Sequence, residues 1–192
     1  VFLKRSYALN RVVKQLQSKD MLPAICFVFS RKGVEQCASE ITHSLIEDEC
    51  THSETVEQEC KKILLKLPNY REYINLPEYT FMIKLLKKGI AIHHSGVLPV
   101  LREMVEMLFS KGYIRLLFAT ETFAVGINMP TKTVVFTSFT KYDGHQERML
   151  LGHEYTQMAG RAGRRGMDTI GHVVHMSNLN ALPSVVEYRN ML

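Results

Sequence analysis

Residues Ala24-Ile-Cys-Phe-Val-Phe-Ser30-Arg-Lys-Gly33 decide the class of fold. Ala24–Phe29 is apolar without interruption. The run is too short for a buried helix and shows no polar alternation, so it reads as a strand covered on both faces, as in a parallel sheet. Ser30 follows as an N-cap, which predicts a helix running to about Leu45. A buried strand that feeds straight into a helix is the repeating unit of α/β folds.

The same alternation extends in both directions. Upstream, Leu9, Val12, Val13 and Leu16 give Leu3–Lys19 one apolar helical face, and Leu22-Pro23 stops it. Downstream, an acidic helix over 52–66 ends before Pro68, and a loop holding Pro68 and Pro77 leads to a helix over 78–88, which Gly89 closes. Ile90–Ile92 is the second strand. Pro99 opens a helix over 99–111, with Gly112 just past its end. Strands follow at Ile114–Ala119 and Thr133–Thr137, then a helix over 153–160 and a strand at His172–Met176. The expectation is an α/β domain: a largely parallel sheet flanked by helices. The 43–82 stretch is longer than one crossover requires and is expected to be a helical insertion.

Composition agrees with a globular chain. Of 192 residues, 46% are hydrophobic and 22% charged, which excludes collagen-like, coiled-coil and disordered classes. No apolar run approaches the ~18 residues of a membrane span, so no membrane partner is expected. The first residue is Val1 and no signal-peptide pattern follows, so a piece of a longer protein is expected. Cys26, Cys37, Cys50 and Cys60 form no C-x-x-C pair, and Cys26 lies in an apolar strand. Reduced thiols in a cytosolic or nuclear setting are expected. Net charge is +5, but Gly33–Cys60 holds eight acids and neither Lys nor Arg, which leaves +13 on the rest. Basic charge set apart in this way points to an anionic partner. Two exposed acidic helices would explain the acidic segment equally well.

In parallel α/β folds ligands meet the carboxyl ends of strands. The sequences after the strands are Ser30-Arg31-Lys32-Gly33, His93-His94-Ser95-Gly96, Thr120-Glu121-Thr122-Phe-Ala-Val-Gly126-Ile-Asn128, and Lys141-Tyr142-Asp143-Gly144 leading to Gln157-Met-Ala-Gly160-Arg161-Ala-Gly-Arg164-Arg-Gly166. All offer hydroxyls, small residues or cations, the groups that hold phosphates. Gly160–Gly166 packs three arginines and three glycines into seven residues, which cannot be core. On a helical turn Arg161 and Arg164 project to one side and could grip one polyphosphate. His93 and His94 are adjacent in a strand and point to opposite faces, which argues against a shared metal. His94 is either a polar contact or a satisfied buried histidine.

Together these segments are similar, in order and spacing, to the second RecA-like domain of superfamily 2 helicases. The resemblance runs over 1–192 and is greatest to the superkiller-type, exosome-associated DExH RNA helicases. It implies a RecA-like α/β fold with a helical insertion at 43–82. It implies that Gln157, Arg161 and Arg164 are motif VI, with both arginines facing the γ-phosphate of ATP held by a first RecA-like domain. Gly126 and Asn128, in motif V, would lie on the ATP side. Ser30 and Arg31 (motif IV), His94, Ser95 and Gly96, and Thr120 would line the single-strand surface, with Glu121 and Thr122 coupling the two faces. ATP with Mg²⁺, single-stranded RNA, the first RecA-like domain and an exosome or adaptor complex are the implied partners, and 3′-to-5′ unwinding in the cytoplasm, or the nucleus, is the implied activity and place. Neither a G-x-x-x-x-G-K-[ST] loop nor a D-E-x-H occurs, and Asp48-Glu49-Cys50-Thr51 lacks the histidine. This chain is therefore expected to be half of an ATP-driven enzyme and inactive alone. Two other readings stay open: a non-enzymatic nucleic-acid-binding module, and an ATP-dependent DNA helicase of the same superfamily.

Overall fold

A computed structural model describes residues 2–121 and 130–192. Among them run α1 (Arg5–Ser18), β1 (Ala24–Phe27), α2 (Arg31–Ser39), α3 (Glu49–Leu64), α4 (Tyr70–Ile74), α5 (Pro77–Leu86), β2 (Ile90–His93), α6 (Pro99–Ser110), β3 (Leu116–Ala119), β4 (Thr133–Phe136), β5 (Thr140–Tyr142), β6 (Glu147–Met149), α7 (Gly152–Ala159), β7 (His172–His175) and α8 (Val185–Met191). Five strands form one sheet in the order β2-β3-β1-β4-β7, every neighbouring pair parallel. The register sets Ala24 beside Leu116 on one side and Thr133 on the other. The α/β expectation holds.

Successive strand residues face opposite sides, and both sides are apolar. Ile25, Phe27, Leu117, Val134 and Phe136 pack against residues of α3, α6 and α7. Ala24, Cys26, Leu116, Phe118 and Val135 pack against Leu9, Val13 and Leu16 of α1 and Val34, Cys37 and Ala38 of α2. This double cover is why β1 and β3 read as unbroken apolar runs and β2 and β4 are apolar but for His93 and Thr133. Burial pushes the Cys60 thiol up to about 12 and Cys37 to about 11, so both behave as small core residues.

The 43–82 stretch holds α3, α4 and the start of α5, and its Val56, Cys60 and Leu64 are fully buried in the sheet's core. Its acids are not idle on the surface. Glu57 pairs with Lys87, and Glu59 pairs with Lys111 at 2.6 Å and Lys62 at 3.0 Å. The acidic segment is thus clamped onto basic residues that flank the sheet.

The structure differs from the sequence reading in four places. The helix expected to reach Leu45 ends at Ser39. There the Asn10 amide donates to the Glu40 carbonyl at 2.7 Å and accepts from the Thr42 N–H at 3.0 Å, which draws the chain out of the helix while its polar groups stay satisfied. Pro77 is not in a loop but begins α5, where its missing N–H costs nothing. The loop after β4 folds into an antiparallel hairpin, β5–β6, closed by Asp143, whose carboxylate accepts from the His145 and Gln146 N–H groups. Helices α4 and α8 were not expected; α8 is opened by a Ser184–Glu187 capping box.

A buried anchor separates an integral helix from a loose appendage. Leu64→Ala is expected to cost about 2–5 kcal/mol in urea unfolding. Leu65→Ala, whose residue is 64% exposed, is expected to change stability by less than about 0.5 kcal/mol.

Candidate functional site

Loops at the carboxyl ends of β1, β2 and β3 converge. Ser30 caps α2: its hydroxyl accepts from the Gly33 N–H at 3.0 Å, so that oxygen holds the helix start. A Cβ on Gly33 would lie 2.6 Å from the Ser30 Oγ and 2.9 Å from Val28, so glycine is what lets the turn close. Exposed Arg31 reaches from the β1 end to the β2 end and donates to the Ser95 hydroxyl at 2.7 Å. Thr120 is buried beyond β3, its N–H bonded to the His93 carbonyl.

The two histidines separate as expected. His93 meets Glu106 of α6 at 2.9 Å, and burial lowers its pKa. His94 is 3% exposed and turns the other way, to Glu35 of α2 at 3.0 Å. Its Nδ1 accepts the Gly96 N–H at 3.0 Å, so Nε2 carries the proton and donates to the carboxylate. His94 is therefore the satisfied buried histidine: both nitrogens are committed, and it shapes the Ser95-Gly96 loop from beneath. A Cβ at Gly96 would sit 3.1 Å from the His94 ring and 3.2 Å from Arg31. Ser30, Arg31, Lys32, Glu35, Ser95 and Gly96 are exposed here.

Glu121 follows Thr120 and meets Lys141 of the hairpin at 3.4 Å. Lys141 also binds Glu154 near the start of α7 at 2.7 Å. Arg148 grips Glu154 with two N–H···O bonds of 2.9 Å each, and the Leu151 N–H adds a third donor at 2.8 Å. Arg148 foremost, with Lys141 and the Leu151 N–H, holds the Glu154 carboxyl well below the usual carboxylate range. Glu154 is thus the knot that ties the end of β3, the hairpin and α7 together. Thr122, Gly126 and Asn128 lie outside the described residues.

The arginine-glycine segment is not where strand ends alone would put it. Helix α7 leaves the carboxyl end of β4 through the hairpin and returns to the amino end. There Thr131, two residues before β4, donates its N–H to the Arg161 carbonyl at 2.8 Å and accepts from the Gly163 N–H at 2.6 Å. Nor do Arg161 and Arg164 share a helical turn: α7 ends at Ala159, and Gly163 reverses the chain at φ +88°. Gly171 packs so closely on this segment that a Cβ would stand 2.5 Å from the Ala162 carbonyl oxygen. Exposed Gln157 stands on α7, and Arg161 and Arg164 follow it as half-buried residues. Arg164 lines an open cleft of about 480 Å³ at the amino ends of the strands, with Lys111, Arg115 and Arg165 and with Pro23 and Pro130. Lys111 and Arg164 are paired with Glu59 and Asp168, and Phe109, Ile114 and Met167 make much of the wall apolar, so an anion here would meet Arg115, Arg165 and a held Arg164.

The structure therefore brings Ser30, Arg31, Ser95, Gly96 and Thr120 together at one end and Arg161 and Arg164 at the other. Sequence reasoning missed three acids that hold these groups. Asp168 stands at i+4 from Arg164, a legible pairing distance in a helical turn. Glu154 occupies the third position of α7, where acids cap helices. Glu35 meets His94 across 59 residues of sequence, and no local signal announces that.

Residues 55–166 match the family model for the helicase conserved C-terminal domain. The chain is 44% identical over 168 residues to the antiviral helicase SKI2 of Saccharomyces cerevisiae, covering 86% of this chain and 13% of that protein. It is 44% identical over 183 residues to Superkiller complex protein 2 of Homo sapiens, 94% of this chain and 14% of that one. It is 43% identical over 175 residues to the exosome RNA helicase MTR4 of Homo sapiens, 91% of this chain and 16% of that one. The chain thus spans well under a fifth of the length of these relatives.

Glu154→Gln is expected to lower stability at pH 7 by leaving Lys141 and Arg148 without their shared charge. The folded-state pKa of Glu154 is depressed, so its contribution is complete above the unfolded value of about 4.3 and fades as pH falls below it. Urea unfolding of the two proteins should differ most at pH 7, and the difference should shrink as pH falls below about 4.

Proposed function

The chain belongs to the helicase conserved C-terminal domain family, and from that premise we propose that it is the second RecA-like domain of an ATP-dependent RNA helicase. Residues 1–192 form that one domain in this reading, and 43–82 is a helical insertion within it. The observation that carries the proposal is the division of the sheet into two equipped ends. Hydroxyls, a glycine and Arg31 gather at the carboxyl end, where a single strand of RNA would run. The arginines of Gly160–Gly166 gather at the amino end, where they would face ATP across the cleft between two domains.

The chemistry follows from the groups. At the strand-binding end the exposed donors are few and suit phosphate oxygens, so contact is to the backbone of the nucleic acid, weakly specific in sequence and sensitive to salt. At the other end Arg161 and Arg164 act as arginine fingers that neutralise charge developing on the transferred phosphoryl group, with Gln157 beside them. Mg²⁺ in this reading is held with ATP by the first RecA-like domain. The ion pair of Glu121 with Lys141 supports the coupling role assigned to Glu121; Thr122, outside the described residues, shares that role in this reading. The motif V residues Gly126 and Asn128, outside the described residues, are assigned to ATP in this reading.

The relatives named as RNA helicases favour RNA over DNA, and the superkiller-like His94-Ser95-Gly96 and Tyr155-Thr-Gln157 favour the cytoplasm and a 3′-to-5′ enzyme that feeds an exosome or its adaptor. This domain alone is inactive, because a finger without the opposing phosphate site stabilises no transition state.

In the full-length protein Arg164→Ala is expected to reduce RNA-stimulated ATP hydrolysis by about 10³-fold or more while leaving single-strand RNA affinity within about threefold. Arg161→Ala should behave alike. Thr120→Ala should instead weaken RNA binding or uncouple it from ATP. ATPase rates and fluorescence-anisotropy binding in parallel decide it, and an equal loss of both functions in Arg164→Ala would remove the finger role.

A further inference from the structure

Arg164 is not a loose side chain waiting for a phosphate. Its Nε donates to Asp168 Oδ2 at 2.8 Å and its Nη2 to Asp168 Oδ1 at 3.0 Å. The Arg164 backbone N–H donates to the same Oδ2 at 2.9 Å. The Met167 and Asp168 N–H groups return to the Arg164 carbonyl at 3.0 and 2.9 Å, and Gly166 at φ +77° allows the turn between them. One carboxylate thus fixes backbone and side chain of the same arginine. The Asp168 side chain is 6% exposed, against 25% for Arg164, so the acid lies beneath and the guanidinium above it lines the cationic cleft.

A guanidinium has five N–H donors arranged on two edges. Asp168 takes the edge made by Nε and Nη2. The other edge, Nη1 with the second Nη2 hydrogen, is itself a two-donor fork that matches two oxygens of a phosphate. We propose that Asp168 is a positioning residue that takes one edge of the Arg164 guanidinium and presents the other, already oriented, to the γ-phosphate. This rests on the reading of Arg164 as an arginine finger. An unheld arginine must order several torsions as it meets the transition state, whereas a held one meets it without reorganisation. The pairing also carries a cost. A carboxylate beside the fork reduces its positive charge and so weakens its hold on ATP in the ground state. Asp168 therefore serves the rate at the expense of affinity, and that sign separates positioning from mere folding.

The test uses the full-length protein, with RNA-stimulated ATPase kinetics on Asp168→Asn, Asp168→Ala, Arg164→Ala and the Arg164→Ala/Asp168→Ala double variant. Asp168→Asn keeps an oxygen for the Arg164 backbone N–H and so preserves the turn, and thermal midpoints report the fold of each variant separately. The expected result is a fall in kcat of at least tenfold in both Asp168 variants, with the KM for ATP unchanged or lower. Asp168→Glu should recover part of the rate. In the Arg164→Ala background, loss of Asp168 should change kcat by less than twofold, because its only route to the chemistry is gone. A kcat that is unchanged or raised in folded Asp168→Asn, or a full tenfold loss that persists without Arg164, overturns the proposal. Should Arg164→Ala itself keep normal kcat, it is the finger reading that fails, which the same data set distinguishes.

Discussion

Everything at the amino end of this sheet hangs on two hydrogen bonds between Thr131 and the segment Arg161–Gly163. They lay the arginine-glycine stretch beside the chain that enters β4, one residue wide, like a stub of extra strand. The Thr131 hydroxyl also donates to the Pro23 carbonyl, which fastens the same point to the start of β1. Such an approach of backbone to backbone leaves no room for side chains. Gly163 supplies the positive φ, and Gly171 supplies a surface without a Cβ. The glycines of Gly160–Gly166 are thus partly structural: they let the arginines be carried by a segment pressed against the sheet instead of by a free loop.

Because the sheet is parallel, its two ends differ, and a chain that visits both must cross it. Helix α7 makes that crossing. Its first turn is held by Glu154 to Lys141 and Arg148, and Lys141 holds Glu121 beyond the other strand end. Its buried face, Tyr155 and Met158, packs on the sheet, with the Tyr155 ring 4.9 Å from that of Phe136. A close-packed helix moves as a body. Displacement at the end that carries Glu121 is therefore transmitted to the end that carries the arginines, provided both ends favour discrete positions. In the function proposed above, this helix is a physical link between the strand-binding end and the ATP end.

Much of this was legible in sequence because it depends on local pattern. Double-sided burial makes β1 to β4 apolar but for His93 and Thr133, and caps such as Ser30 and stops such as Gly89 mark their helices. What escaped depends on distant partners or on exposed faces. The end of α2 is set by Asn10, some thirty residues away. The hairpin β5–β6 carries charged residues on both strands, so only Asp143-Gly144 announced it. Helix α8 exposes Val185 and Val186 and shows no clean period, and its capping box was the one readable sign. His94 is the instructive case. Its sequence neighbours mark it as a site residue, yet its two nitrogens are taken by Glu35 and Gly96. It belongs to the site by shaping the loop, which spacing alone does not distinguish from contact.

The same partition of roles governs the charges. A net +5 counts every cation equally, but the acids of this chain are spent unevenly. Arg5 is held by Glu40, Lys87 by Glu57, Lys111 by Glu59, Lys141 and Arg148 by Glu154, and Arg164 by Asp168. The outer pairs, Arg5–Glu40 and Lys87–Glu57, add little stability, whereas the largely covered pairs on Glu154 and Asp168 both stabilise and orient. At the carboxyl end Arg31 is bonded instead to the neutral Ser95 hydroxyl, with the exposed Glu35 carboxylate one turn further along α2. In the function proposed above, Arg164 thus acts on a phosphate at the amino end as a cation that a carboxylate already holds in place.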